Sequence, residues 1–172
     1  MNTLKDLIWE DITSPTMDPQ EYMKKSSEKK EVLEYYENYS PDKDSIKKIK
    51  EYLLKNQESI KLLAIGAVWC PDCFRNIPRM IKILEEFEDI EFKILYGVKV
   101  DAYKKKNKDS IAWNAKKSPK EAVDPKFDLL KIPIIYIFNK EGKYINRIVE
   151  NPREGSTLEE DIAYYLNAQK NL

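Results

Sequence analysis

The chain has 172 residues, of which 42% are hydrophobic and 35% are charged, a composition typical of a globular domain with a heavily charged surface. Lysine and arginine total 30, as do aspartate and glutamate, so the formal net charge is zero. This balance gives no support for a nucleic-acid partner. The chain contains no histidine, which excludes Cys–His and Ser–His catalysis and any metal site built on imidazole.

The N-terminal sequence predicts a cytoplasmic protein. The first ten residues lack the apolar core of a signal peptide, and no apolar run approaches the length of a membrane span. We therefore expect no membrane partner. Cytoplasmic thiols are kept reduced, so we do not expect a cysteine pair in this protein to serve as a permanent structural disulfide.

Residues 1–42 are predicted to be a polar, helical N-terminal extension. Asp18-Pro19 is a plausible helix start, because aspartate caps helices and proline favours the first helical position. The sequence leaves three roles open for this segment: it covers the core, forms a separate arm, or contacts a partner. Residues 43–172 are predicted to form the main domain.

From residue 43 onward, hydrophobic periodicity predicts the order helix, strand, helix, strand, helix, strand, strand, helix. The first two strands are joined through a helix and should be parallel, whereas the last two should form a hairpin. These elements predict an α/β fold with a central mixed sheet flanked by helices. The expected segments are a helix over about 43–56, a strand over 60–68, a helix over 73–88 interrupted by Pro78, a strand over 90–100, a charged loop with a short helix over 102–117, a helix from Asp124-Pro125 through Leu130, strands over 134–138 and 143–149, and a helix that follows a capping box at 156–159.

The two cysteines of the chain, Cys70 and Cys73, lie where a buried strand is expected to end and a helix to begin. Free N–H groups and the positive end of the helix dipole stabilise an anion at such a junction. A thiolate is such an anion, and it is the reactive form of cysteine. Two intervening residues let both sulfurs approach at disulfide distance on one helical turn. The motif therefore indicates thiol–disulfide exchange.

Two other interpretations of the cysteine pair stay open at this point. The first is half of a zinc site, but a structural zinc site needs four ligands. Without another cysteine or a histidine, only carboxylates or a second chain would complete it, so we expect no metal. The second is a pair of inert thiols in a degenerate fold.

Five features taken in order resemble the thioredoxin family over about residues 43–170. They are the strand that leads into Trp69-Cys70-Pro71-Asp72-Cys73, Pro78 five residues after the second cysteine, Ile132-Pro133 before a strand, the hairpin at 138–143, and a capped C-terminal helix. The Cys-Pro-Asp-Cys variant also resembles thioredoxin-related reductases. The resemblance implies a thioredoxin-like fold to which residues 1–42 add a helical extension.

The resemblance also implies an activity, a protein disulfide reductase that contributes to cell redox homeostasis. Cys70 would be the exposed nucleophile and Cys73 the resolving thiol, with no cofactor beyond the Cys70–Cys73 disulfide. Substrates would be disulfides in cytosolic proteins or small molecules, and electrons would come from a disulfide reductase such as a flavoprotein. The residues expected to support substrate binding are Trp69, Pro71, Asp72, Ile132 and Pro133, with Pro133 in the cis form and the backbone of Ile132 offered to an extended substrate.

Four features depart from the thioredoxin pattern. The usual Gly-Pro between the cysteines is Pro71-Asp72, and the polar residue that often follows the cis-proline is Ile134. The buried aspartate that usually lies six residues before the first cysteine is Ala64, and its usual lysine partner falls near Gly97. The route for the Cys73 proton is therefore open.

Asp72 lies beside Cys70, where its charge should raise the thiol pKa. Two interpretations of Asp72 stay open. Its carboxylate could act as a base for Cys73, or it could be an ordinary acidic residue in the first turn of a helix.

Two alternative functions remain. One is a non-redox binding module that uses the thioredoxin-like surface and the N-terminal helical arm. The other is an oxidase or isomerase that runs the exchange in the opposite direction, which the cytoplasmic setting and Asp72 both disfavour.

Overall fold

The computed structural model describes residues 3–104 and 112–169. Its strands form one mixed sheet in the order β2-β1-β3-β4. β1 pairs in parallel with β2 and antiparallel with β3, and β3 pairs antiparallel with β4. The parallel pair and the hairpin are confirmed. The strands are β1 (Ile60–Ile65), β2 (Glu91–Leu95), β3 (Ile134–Asn139) and β4 (Tyr144–Val149).

Four of the five described helices begin at a capping side chain, and the second helix is the exception. The carboxylates of Asp18 and Asp42 accept the backbone N–H groups of Glu21 and Ser45 at the starts of the first and third helices, which satisfies donors that no helical carbonyl reaches. The described helices are α1 (Pro19–Lys25), α2 (Lys30–Glu37), α3 (Lys43–Lys55), α4 (Pro71–Leu84) and α5 (Leu158–Ala168), with 3-10 turns at Thr3–Asp6, Trp9–Asp11 and Lys120–Ala122.

Two predicted elements were wrong. The strand over 90–100 is shorter than predicted, and the segment from Asp124 is not a helix. The strand ends at Leu95. The segment from Asp124 forms turns rather than a helix, because Asp128 has a φ of +44° and the carbonyl of Phe127 accepts a hydrogen bond from the Tyr136 hydroxyl. Residues 105–111 of the expected charged loop lie outside the described residues.

The N-terminal segment pairs with both edge strands of the sheet. Ile8 bridges to Lys143 beside β4, and Met17 exchanges two backbone hydrogen bonds of 2.9 Å with Ile94 of β2. Covering the edges in this way removes the unpaired backbone groups that would otherwise invite association. Leu4, Leu7, Trp9, Tyr22 and Val32 are buried in the same core as the sheet.

The described N-terminal residues therefore cover the core, the first of the three roles that the sequence left open. The division of the chain at residue 42 stays a prediction.

Replacing Leu7 with alanine tests this role. Leu7 is fully buried, so Leu7→Ala is expected to lower the free energy of unfolding by about 2–5 kcal/mol. Urea unfolding measures the change, and Leu54→Ala serves as the control because Leu54 is 83% exposed. Equal stability of the two variants would contradict the packing and indicate a detachable arm.

Candidate active site

Cys70 caps the N-terminus of α4. Its backbone is extended (φ −102°, ψ 111°), Pro71 occupies the first helical position, and the Cys70 sulfur accepts the backbone N–H of Cys73 at 3.2 Å. The sulfur thus replaces the oxygen of an ordinary capping side chain. The helix begins two residues earlier than the sequence predicted, and this places both sulfurs in its first turn.

Cys70 is buried, which corrects the expectation of an exposed nucleophile. Only 4% of its surface is accessible, because the sulfur lies 3.8 Å from the backbone carbonyl of Ile132 on the loop that precedes β3. Trp69, directly before it, is 42% exposed. The Cys70 sulfur is therefore covered by the Ile132 loop, while the adjacent Trp69 remains partly exposed.

The Ile132–Pro133 peptide bond is cis, which confirms the expectation from the resemblance. The carbonyl of Pro133 accepts the backbone N–H of Glu150 at 2.7 Å, and Glu150 adopts a φ of +60°. The cis-proline loop and the loop after β4 are therefore held together. The carbonyl of Ile132 faces the Cys70 sulfur.

The two thiols have opposite pKa shifts. The hydrogen bond from the Cys73 thiol, helped by the Cys73 backbone N–H, lowers the pKa of Cys70, although burial opposes this effect. Burial strongly raises the pKa of Cys73, and its hydrogen bond to Cys70 raises it further. A first deprotonation therefore falls on Cys70, while Cys73 retains its proton.

The Asp72 carboxylate pairs with the guanidinium of Arg75 one turn along α4. Arg75 also donates to the side chain of Asn151 at 2.7 Å, and Asn76 donates to the backbone carbonyl of Glu150 at 2.6 Å. This network fixes α4 against the loop after β4. Asp72 raises the pKa of Cys70, as the sequence predicted, but the hydrogen bonds from Cys73 outweigh it.

Trp69 and its neighbours form an apolar rim beside the thiols. The Trp69 indole N–H donates to the carbonyl of Val98 at 3.0 Å, and this bond fixes the ring while leaving it partly open to solvent. Val68, directly before Trp69, is 45% exposed. Exposed apolar side chains grouped in this way are typical of a binding surface.

Sequence reasoning missed three residues that the N-terminal segment and β2 bring to the site. Lys29 donates to the carbonyl of Val68 and lies 3.9 Å from the centre of the Phe74 ring. Tyr22 is fully buried beside Tyr96, and their hydroxyl oxygens lie 3.4 Å apart. Aromatic residues at helical spacing predicted only core packing, and no sequence signal connected Tyr22 with the cysteines.

Neither a metal cluster nor a membrane-crossing helix occurs in the part of the chain that the structure describes. Over residues 3–104 and 112–169, no three His, Cys, Asp or Glu side chains converge in a way that would hold a metal ion. Within the same ranges, no helix has both the length and the apolar character needed to cross a bilayer.

The Asp72–Arg75 pair yields a prediction about Cys70. Asp72→Asn is expected to lower the pKa of Cys70 because it removes a negative charge that raises it. Arg75→Gln should raise the pKa because it leaves the carboxylate unpaired. The pH dependence of Cys70 alkylation, followed by mass spectrometry, measures both shifts. Asp44→Asn, in the first turn of α3, is the control, and an unchanged alkylation profile for Asp72→Asn would contradict the prediction.

Solved structures share this fold at low sequence identity. A crystal structure of a protein of unknown function from Pseudomonas aeruginosa is 17% identical, with a TM-score of 0.63, over 95% of this chain and 98% of that chain. An HIV epitope scaffold is also 17% identical, with a TM-score of 0.59, over 92% of this chain and 87% of that chain. A thioredoxin from Fasciola hepatica is 15% identical, with a TM-score of 0.40, over 70% and 89% of the two chains. At these identities the first two likenesses show the fold alone.

No curated protein matches the chain. The family model Thioredoxin_9, described as thioredoxin, matches residues 16–163. The match covers most of the chain and includes α1 and α2 as well as the sheet, Cys70, Cys73 and Pro133. The chain therefore belongs to this thioredoxin family.

Proposed function

We propose that the protein is a cytosolic thiol–disulfide oxidoreductase that reduces disulfides in proteins or small molecules. The observation that carries this proposal is the position of the Cys70 sulfur. It caps α4, accepts the Cys73 N–H at 3.2 Å and lies beside the cis-proline loop. This environment lowers the pKa of Cys70, and a lowered pKa gives the thiolate that attacks a disulfide.

The reaction runs in two exchanges. The Cys70 thiolate attacks one sulfur of the substrate disulfide, the substrate S–S bond breaks, and its other sulfur leaves as a thiolate that takes a proton from solvent. Cys73 then loses its proton and attacks Cys70, so that the Cys70–Cys73 disulfide forms and the second substrate sulfur leaves. An electron-donating disulfide reductase returns two electrons and restores both thiols.

The buried sulfur favours an extended, slender substrate. Because Cys70 is only 4% exposed, a chain that lies flat against the backbone of Ile132 would bring its disulfide closer than a folded surface would. Trp69 would supply apolar contact on the other side. Pro71 and Pro133 would fix the backbone on each side of the sulfur, since proline restricts its own φ.

The same burial favours one second candidate, a non-redox binding module. In that case the exposed apolar side chains of Val68 and Trp69 would bind a partner while the thiols remain inert. A reduction potential measured for the cysteine pair separates reductase from oxidase, because a value near or above that of the glutathione pool would indicate an oxidase or isomerase.

Cysteine substitutions test the dithiol cycle. Cys70→Ser is expected to abolish reduction of insulin disulfides, because it removes the nucleophile. Cys73→Ala should accumulate a mixed disulfide on Cys70 that is visible by non-reducing electrophoresis and mass spectrometry. Tyr36→Phe, which alters a partly exposed tyrosine bound to Glu85, should retain wild-type turnover.

Two results would oppose the redox cycle. Turnover in Cys70→Ser equal to that of wild type would exclude Cys70 as the nucleophile. The absence of thiol-dependent turnover in the wild-type protein, with every reductant supplied, would favour the binding module.

A further inference from the structure

The Cys73 sulfur lies directly against the backbone of Gly66 at the end of β1. A Cβ atom at Gly66 would be only 2.9 Å from this sulfur, so the absence of a side chain makes room for it. The Gly66 N–H donates to the carbonyl of Leu95 at 2.8 Å, and Ala67 bridges to Gly97. Tyr96, between these two partners, is therefore the neighbour of Gly66 across the sheet.

Tyr96 and Tyr22 place two hydroxyl groups in this buried region. Their rings pack edge to face with centres 4.9 Å apart, and the hydroxyl oxygens are joined by a long hydrogen bond of 3.4 Å. Negative charge on the sulfurs of Cys70 and Cys73 contributes to raising the pKa of both tyrosines.

A surface cavity of about 350 Å³ extends this group of hydroxyls outward. Tyr96 and Ser26 are both in its wall, together with Val68 and Gly97 near the cysteine motif. A site of this size with polar groups in its wall has room for water, since one water fills about 30 Å³. Tyr96 therefore connects the buried pair of hydroxyls to a space that solvent can enter.

Carboxylates provide a poor alternative route. The usual buried aspartate is replaced by Ala64, which is fully buried. In the described part of the chain, the titratable groups that act on Cys73 from its own helix are Cys70 and Asp72, and the Asp72 carboxylate is paired with Arg75. From the other elements they are Tyr22 on α1 and Tyr96 after β2.

Two lysines, Lys25 and Lys29, lie in the wall of this cavity. Lys29, three residues after Ser26, donates to the Val68 carbonyl and covers the Phe74 ring. It also lines the cavity, where its charge would favour the release of a proton to solvent.

We propose that Tyr22 and Tyr96 relay the Cys73 proton to solvent during the resolving exchange, an inference that rests on the proposed dithiol cycle. The Cys73 proton passes to one hydroxyl oxygen, that hydroxyl gives its own proton to the other, and the second releases a proton to water in the cavity. The electron pair freed on Cys73 forms the S–S bond with Cys70. The substrate sulfur departs with the electrons of the broken mixed disulfide and is protonated by solvent, and both tyrosines end neutral.

The raised pKa values of the two tyrosines fit a proton relay, in which the hydroxyls stay neutral, better than a general base, which would need an ionised tyrosine. Burial raises the pKa of Tyr22 to about 12, and burial together with the neighbouring Tyr22 raises that of Tyr96. Both hydroxyls therefore keep their protons at physiological pH. A neutral hydroxyl can accept one proton while it donates another, and it can donate a hydrogen bond to the thiolate as it forms.

Ellman's reagent separates the two exchanges in one experiment. Attack by Cys70 releases the first coloured thiolate, and attack by Cys73 on the resulting mixed disulfide releases the second. Tyr22→Phe and Tyr96→Phe are expected to slow the second release about tenfold, equivalent to one lost hydrogen bond to a charged group. The first release should change by less than about twofold, because the attack by Cys70 does not use the tyrosine hydroxyls. A twofold change is well under the effect of losing one such hydrogen bond.

The pH profile distinguishes a relay from a packing defect. Without the hydroxyl, the pKa of Cys73 rises further, so the second release should shift to higher pH in both variants. Tyr136→Phe is the matched control because Tyr136 is also fully buried, while its hydroxyl donates to the carbonyl of Phe127 at 2.6 Å. Both releases in Tyr136→Phe should follow the wild-type profile.

Three outcomes decide the matter. A wild-type rate and pH profile for the second release in both tyrosine variants would overturn the relay, as would equal slowing by Tyr136→Phe. A wild-type protein that gives the first release without the second would overturn the dithiol cycle itself. If Tyr22→Phe does not fold, as shown by thermal unfolding, Tyr96→Phe alone decides.

Discussion

The site depends on hydrogen bonds to a sulfur that is nearly removed from water. Burial disfavours a thiolate, yet donors from Cys73 are strong enough to lower the pKa of Cys70. Those donors exist only if α4 begins at Pro71, so that Cys70 is the capping residue. The helix start, the cis-proline loop that covers the sulfur, and Gly66 beneath Cys73 are therefore parts of one constraint.

The N-terminal segment belongs to this constraint rather than to a separate unit. It bridges both edges of the sheet at Ile8 and Met17, and its helices bring Tyr22 and Lys29 to the cysteine motif. Loosening the segment would remove stability and change the surroundings of both thiols together. In this chain the stability of the core and the chemistry of the site are consequently coupled.

The parts that sequence predicted correctly depend on local patterns. Periodicity identified the strands and helices of the sheet, and spacing placed Cys70 and Cys73 at a strand–helix junction. The missed features depend on contacts between distant residues. Ile132 covers Cys70. The Tyr136 hydroxyl donates a hydrogen bond to the carbonyl of Phe127, a residue of the helix that was expected after Asp124. The pairing of Tyr22 with Tyr96 joins α1 to the end of β2, and neither residue differs in type from ordinary core aromatics.

Two of the departures from the thioredoxin pattern, Ala64 and Gly97, are best understood together. A buried lysine that has lost its carboxylate partner carries an uncompensated charge, which is strongly destabilising, so replacement of the aspartate favours replacement of the lysine as well. A pair of neutral hydroxyls avoids this cost because nothing charged is buried at rest. Gly97 also lines the cavity beside Tyr96, where a long side chain would fill the space that water needs. The loss of the charged pair and the presence of a hydroxyl route thus follow from one physical requirement, a proton exit for Cys73 without a buried ion.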